Sequence, residues 1–411
     1  MRPNPLPLLG GLYGVQGIVA GFTSGILVPL LASRGASIDD QVGLVALTGV
    51  PWVLKLPVAV ALDRLRPGAS RVAGGAMLAM GVLVLAFSGL GTGGGELPWL
   101  GPVWLLLNFM LAAQDVSADA VVLDAVEPSA RGRANGIMQG ALVLGSTLAG
   151  AYGLGALVVR WGLQAALVVL ALILLGVGLW AVRSDLSARV APSHTGLLSI
   201  LRKPATWAIG SVVSVFYVAD ALTGALSGAF FIQRLGWSLE EVQTILPWPV
   251  LASQVLGFVV AAVSVDRVGH VRATTLACAV LGGTTLGFAV LPAVWPSVGF
   301  IISFTVVQGV AMGVMVVGLH AWLMGLVEPS VRATHYAVFA SLLNLPRAWV
   351  PGLAPTLLEN VGWGGVFGTS GAIQLAVAGL FFLAARRFAR RTEVGTGGPS
   401  SRRPDHAPKA G

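Results

Sequence analysis

The chain reads as an all-α membrane protein with twelve transmembrane helices in two pseudo-symmetric bundles of six. Three observations predict this. Hydrophobic residues make up 55% of the 411 positions and charged residues only 10%, against roughly 25% charged in an ordinary soluble domain. So few charges cannot cover a water-facing surface of this size, and the bilayer is the natural solvent. Apolar stretches of about 20 residues, enough to cross a hydrocarbon core of ~30 Å as a helix, recur along the whole length. Two short motifs also repeat at offsets of 203 and 201 residues.

In order, the spans fall at about 8–31, 41–62, 71–91, 99–124, 134–158, 163–182, 205–231, 239–264, 272–292, 297–325, 335–357 and 365–386. The first follows Arg2 and exceeds the roughly 7–15-residue core of a cleavable signal, so it is read as a retained span. Its glycines, Gly10, Gly14, Gly17, Gly21 and Gly25, recur about once per turn, as do Gly136 and Gly140 in the fifth; small residues at that spacing let helix backbones approach. Pro51 and Pro57 in the second span, with Pro247 and Pro249 in the eighth, remove backbone donors and mark places to bend. The longest internal loop, 183–204, separates an N-terminal bundle (1–182) from a C-terminal one (205–388), and the basic, Gly- and Pro-rich stretch 389–411 reads as a disordered tail.

The halves echo each other. Asp63-Arg64 after the second span is answered by Asp266-Arg267 after the eighth. Glu127-Pro128-Ser129-Ala130-Arg131 after the fourth returns as Glu328-Pro329-Ser330-Val331-Arg332 after the tenth. With twelve spans, 20 Lys and Arg lie on the side of the termini and three on the other, while Lys55 and Arg347 lie within spans. The positive-inside rule then puts both termini in the cytoplasm. One cysteine, Cys278, forms no internal disulfide.

The most distinctive stretch is Gln114-Asp115, then Asp119-Ala120, Asp124 and Arg131-Gly132. It resembles the fourth-span signature of the muropeptide permease (AmpG-like) and acetyl-coenzyme A transporter branch of the major facilitator superfamily. Leu54-Lys55-Leu56-Pro57 ending in Asp63-Arg64, Ala219-Asp220-Ala221, and Ala333-Thr334 leading to Arg347 resemble other segments of that branch in the same order. The likeness covers about 10–385; Ser129-Ala130 stands where the branch usually carries two acids, and there is no room for the extra spans of many muropeptide permeases. It implies a secondary transporter working by alternating access, with proton-coupled import of a muropeptide-like or other amphiphilic anion. Siderophore or coenzyme A-ester transport, or a non-transporting membrane sensor, are the alternatives.

Ionised groups inside a bilayer are costly and face a partner or a water-filled cavity. At 1.5 Å per residue, Lys55 and Asp115 lie at similar depth, as do Asp220 and Arg347. Each half thus offers a cation and an acid that can neutralise each other, hold an anionic solute, or exchange a proton when the pair parts. Asp119 shares a helix face with Asp115, four residues away. It is expected either to pair with Arg64 or Arg131 at an inner gate or to meet solute or proton. His320 occupies the repeat position of Asp119 and titrates near neutrality when unperturbed. Gln16 is a candidate hydrogen-bonding group for the solute, and Tyr13, Tyr152 and Tyr217 for aromatic contacts. Asp63, Arg64, Arg131, Asp266, Arg267 and Arg332 are the expected cytoplasmic gate.

No motif for nucleotide, metal or nucleophilic catalysis occurs, so an enzyme and a cofactor are not expected. The formal charge of +8 sits in loops and tail rather than in a stripe, so nucleic acid is not expected either. The expected partners are a small-molecule substrate, protons and membrane lipid. The expected setting is a monomer in a bacterial inner membrane.

Overall fold

The computed structural model describes residues 4–55, 68–89, 97–127, 131–184, 199–327 and 332–396. Among them nine helical stretches are long and apolar enough to cross a membrane. Two of these, Gly136–Arg183 and His335–Phe388, have 48 and 54 residues, about 72 and 81 Å of helix, far more than one crossing needs. Each breaks at a glycine in the left-handed region, Gly162 (φ 82°) and Gly362 (φ 65°), where two helices meet. Counted as pairs, and with Ile38–Val53 as the described part of the second span, they give the arrangement of twelve.

The first span runs through Leu6–Phe22, a π-helical turn at Thr23–Leu27, and Val28–Ser33. The third is Ala69–Ser88 and the fourth Leu97–Ala125. The fifth comprises Arg131–Leu144, a π-helical stretch Gly145–Gly153, and the residues up to Gly162; the sixth ends at Arg183. The seventh is broken into Pro204–Val213, Val218–Ala225 and Ala229–Arg234, although its sequence reads as one span. The eighth is interrupted ahead of Pro247, as Leu239–Ile245 and Pro247–Val268. The ninth and tenth are His270–Val290 and Val298–Leu326. The eleventh is Arg332–Trp349 followed by a tight turn at Val350–Leu353. The helix containing the twelfth continues to Thr396 rather than giving way to coil at 388; Arg386, Arg387, Ala389, Arg390 and Arg391 are good helix formers. Residues 397–411 lie outside the described residues.

The repeat is visible in the backbone. Gly35 (φ 77°) and Gly236 (φ 73°) are 201 residues apart, and Gly162 and Gly362 are 200 apart. Ser37 caps the second span by accepting from the Asp40 N–H, and Ser238 caps the eighth by accepting from the Glu241 N–H, again 201 residues on. Each cap satisfies a first-turn donor that would otherwise lack a partner.

Lipid gives helices little hydrophobic reason to associate, so close backbone approach and packing carry the bundle. The first span packs against the fifth through its glycines: Cβ atoms at Gly17 and Gly21 would overlap the backbone of Leu142 and Ser146. Gly136 and Gly140, expected to let backbones approach, have nothing within 4 Å; Gly145 and Gly150, five and ten residues beyond Gly140, face the first span instead. Gly74 and Gly178 join the third and sixth spans in the same way, and Gly282 and Gly371 join the ninth to the twelfth. One apolar cluster draws its buried residues from 8–181 and another from 209–385. Leu172, Leu276 and Leu383, each more than half exposed, face outward as lipid-facing side chains do.

Contacts between the halves gather at the end of the bundle remote from the termini. Val42 of the second span packs with Ala221, Leu222, Val350 and Ala354. A Cβ on Gly49 would overlap the Arg347 carbonyl, and one on Gly228 would press on Val28. Tyr152 and Trp248 meet across the fifth and eighth spans with ring centroids 5.3 Å apart and ring planes tilted by 56°.

Candidate functional site

Four of the charged side chains singled out by the sequence meet in two pairs, one in each half. In the N-terminal half Lys55 Nζ bonds Asp115 Oδ2. Gln16 of the first span donates to Asp115 Oδ1 at 3.1 Å, and the ammonium lies 4.3 Å from the centroid of the Trp52 ring, within cation–π range. Lys55 is placed here by the end of the second-span helix at Val53, two residues after Pro51 and one short of the Leu54 break. A cation just beyond a helix C-terminus meets the negative end of its dipole. Gln16 is buried, with its carbonyl oxygen unpartnered, so it braces the carboxylate of Asp115.

In the C-terminal half Arg347 Nη2 lies 3.7 Å from Asp220 Oδ2. The guanidinium carbon stands 4.2 Å from the centroid of Tyr217, and Nη1 donates to Asn344 Oδ1 at 3.3 Å. The helix ends again place the charges. Asp220 is in the first turn of Val218–Ala225, created by the break at 214–217, and Arg347 is in the last turn of Arg332–Trp349. Each charge has the sign its helix end favours.

Asp119 is exposed and accepts from the Tyr13 hydroxyl at 2.8 Å. Tyr336 lies on the eleventh span, in the other half. It bonds Nδ1 of His320. The repeat-related positions 119 and 320 therefore each meet a tyrosine hydroxyl, one from the first span and one from the eleventh.

Of the expected gate, Asp63 and Arg64 lie outside the described residues. Arg131, Asp266 and Arg332 sit on described helices, but their side chains lie outside the description. Arg267 is exposed in the last turn of the eighth span. Sequence reasoning missed Trp52, Asn344 and Tyr336, and it missed the remote seal.

That seal is made of amides. Gln243 of the eighth span donates to the Gly25 carbonyl of the first. In a regular helix that carbonyl would take the N–H four residues on, where Pro29 has none. Gln233 of the seventh span and Gln41 of the second both donate to the Ala36 carbonyl, each at 3.1 Å. Thr147 and Gln254 join the fifth and eighth spans at 3.1 Å. A side chain on Gly155 would collide with the Gln243 amide, so the glycine leaves that amide its place.

Known proteins support the same reading. The profile of the Major Facilitator Superfamily matches residues 11–306. The anhydromuropeptide permease of Escherichia coli (strain K12) is 23% identical over 397 residues, covering 89% of this chain and 78% of the permease; that of Escherichia coli O157:H7 is equally similar. Among solved structures, a bacterial homologue of the human lysosomal transporter Spinster, inward-facing and occupied, superposes with a TM-score of 0.72 at 15% identity, covering 94% of this chain and 98% of that one. The nucleoside transporter NupG follows with a TM-score of 0.66 at 14% identity, covering 94% and 99%. Span order, internal repeat, paired charges and profile agree: this chain is a transporter of the major facilitator superfamily.

Proposed function

We propose that the protein is a proton-coupled importer of a muropeptide-like or other amphiphilic anion, working by alternating access between bundles 1–182 and 205–388, which the 183–204 segment joins. The observation that carries this is the pair of acid–cation couples, one per half, in a bundle sealed at one end. Charge of this kind within membrane spans needs a polar path, and residues from both halves line it. With the termini cytoplasmic, as the 20-to-three distribution of Lys and Arg favours, the seal of Gln243, Gln233 and Thr147 is the outer one, and the state is inward-facing. The setting is then a bacterial inner membrane. Likeness to the anhydromuropeptide permease supports the solute class.

Coupling follows from the couples themselves. When a cation leaves its acid, the carboxylate stands alone in a poorly solvated site, and taking up a proton removes the charge. The solute's own anionic group can draw the cation away.

Uptake into proteoliposomes tests the reading. Labelled anhydromuropeptide accumulates when an inward proton gradient is imposed, and a protonophore abolishes the accumulation. Accumulation that ignores the protonophore sinks the coupling. Uptake of ferric siderophore or acyl-coenzyme A in place of anhydromuropeptide sinks the solute assignment, and no flux of any of these sinks the carrier reading.

A further inference from the structure

The two charged couples are built differently. On the N-terminal side the cation is committed: both oxygens of Asp115 are bonded, to Lys55 and Gln16, and the side chains of Lys55 and Asp115 are only 21% and 6% exposed. On the C-terminal side Arg347 and Asp220 stand 3.7 Å apart with 46% and 42% of their side chains exposed. That separation is beyond hydrogen-bond length. A guanidinium has five N–H donors, and the hydrogen bond recorded for Arg347 among the described residues is the one to Asn344. Asp220 accepts none among those residues. The Tyr217 face beneath the guanidinium meanwhile fixes its plane.

Resting on the carrier reading above, we propose that Arg347, flanked by Asn344 and backed by Tyr217, is the subsite for the solute's carboxylate or phosphate, and that Asp220 is an internal anion which this group displaces. An incoming carboxylate can lay two oxygens along the guanidinium fork in two parallel hydrogen bonds, which Asp220 does not make from its present distance. Two carboxylates beside one cation repel. Displaced Asp220 therefore takes a proton from water in the cleft, leaving one guanidinium cation, one bound anion and a neutral acid. Solute and proton enter the site together without changing its net charge. Lys55 is unsuited to this exchange, because removing it strands the enclosed Asp115 carboxylate.

The test uses the full chain in lipid nanodiscs with three probes: N-acetylmuramic acid, N-acetylglucosamine (the same sugar without the lactyl carboxylate), and coenzyme A as an unrelated phosphate anion. Calorimetry in two buffers of different ionisation enthalpy counts the protons taken up on binding. Wild type is expected to bind an anion with proton uptake. Asp220→Asn binds it roughly two- to fivefold tighter, the worth of an exposed ion pair removed as competitor, and takes up no proton. Arg347→Gln loses the preference for the acidic over the neutral sugar, and Arg347→Lys weakens it because the fork is gone. A static structural pair predicts the opposite sign for Asp220→Asn. Weaker binding by that variant, undiminished proton uptake in it, an unaltered Arg347→Gln, or no anion bound by wild type overturns the proposal. Should coenzyme A show the pattern and N-acetylmuramic acid not, the subsite stands and the muropeptide assignment falls. If both anions bind and neither responds to these substitutions, the subsite falls and the carrier reading stands. Should Asp220→Asn fail to fold, phenylglyoxal modification of Arg347 in wild type decides, with protection by the bound anion expected and no protection overturning it.

Discussion

Replacing Gln243 by Leu tests the remote seal. The substitution removes the donor to the Gly25 carbonyl, which Pro29 cannot replace, and keeps an apolar side chain of similar length against Gly155. The carbonyl is then left without a partner in the closed state, at a cost of about 1–3 kcal/mol. When the seal is open, water reaches the same carbonyl and the loss there is small. The substitution therefore acts on the equilibrium between states more than on the fold: about 1.4 kcal/mol of difference moves the populations tenfold. A reporter is available at Val42, 2% exposed and packed on Ala221, Leu222 and Val350 of the other half. With Val42→Cys, and with the buried Cys278 replaced by Ala, the rate of labelling by a membrane-impermeant maleimide from outside reads the open fraction. The rate is expected to rise about tenfold on adding Gln243→Leu. An unchanged or slower rate would show that the seal does not depend on this bond.

Lys55→Gln leaves Asp115 enclosed without its cation and should cost about 3–5 kcal/mol, seen as a lower melting midpoint in detergent; adding Asp115→Asn should restore most of the midpoint but not transport, and failure to restore it would mean the two residues are not energetically paired. Gly21→Val forces a side chain into the Ser146 backbone and should lower the midpoint by the equivalent of at least about 1–3 kcal/mol. Gly140→Ala meets open space and should leave it unchanged or raise it through better helix propensity; equal effects at the two glycines would contradict the packing described. Gly162→Ala and Gly362→Ala put a Cβ on backbones at φ 82° and 65° and should each cost about 1–3 kcal/mol, measured the same way.

Hydropathy located the spans well because each must hide its backbone from lipid along its full length, and Leu6–Ser33 or Val298–Leu326 can do so only as continuous apolar helix. Repetition was legible in Glu127-Pro128-Ser129 and its counterpart, and it was also present, unread, in Ser37/Ser238 and Gly35/Gly236. Spacing failed for Gly136 and Gly140: a four-residue period shows that small residues share a face but not which neighbour lies there. The glutamine seal was illegible for a related reason. Gln41, Gln233 and Gln243 look like ordinary polar residues near helix ends, and the acceptors of Gln233 and Gln243 lie in the opposite half. One clue was available, since Pro29 has no N–H to offer the Gly25 carbonyl four residues earlier and so leaves room there for a donor from elsewhere.

The break at 214–217 in the seventh span could not be read from hydropathy, because it contains no glycine or proline and its residues are as apolar as their neighbours. The charges did predict it, had they been taken as statements about backbone rather than about partners. An interrupted helix exposes unpaired N–H groups at one new end and C=O groups at the other, and transporters tolerate such ends where they line a polar cavity. Asp220 sits where the N–H groups are freed, Arg347 where carbonyls are freed ahead of Val350, and Lys55 just past the end at Val53. A charge inside an apolar span and a helix end inside the bilayer thus stabilise each other, and either is costly alone. On this logic Asp220→Leu should do more than lose an ion pair of modest strength. It removes an anion from the positive end of the Val218–Ala225 helix, whose first turn should then fray more, and amide hydrogen exchange at 218–221 should rise in the variant. Arg347→Leu, which removes the same ion pair but not that anion, should leave exchange there unchanged, and equal exchange in the two variants would reduce Asp220 to a pairing role alone.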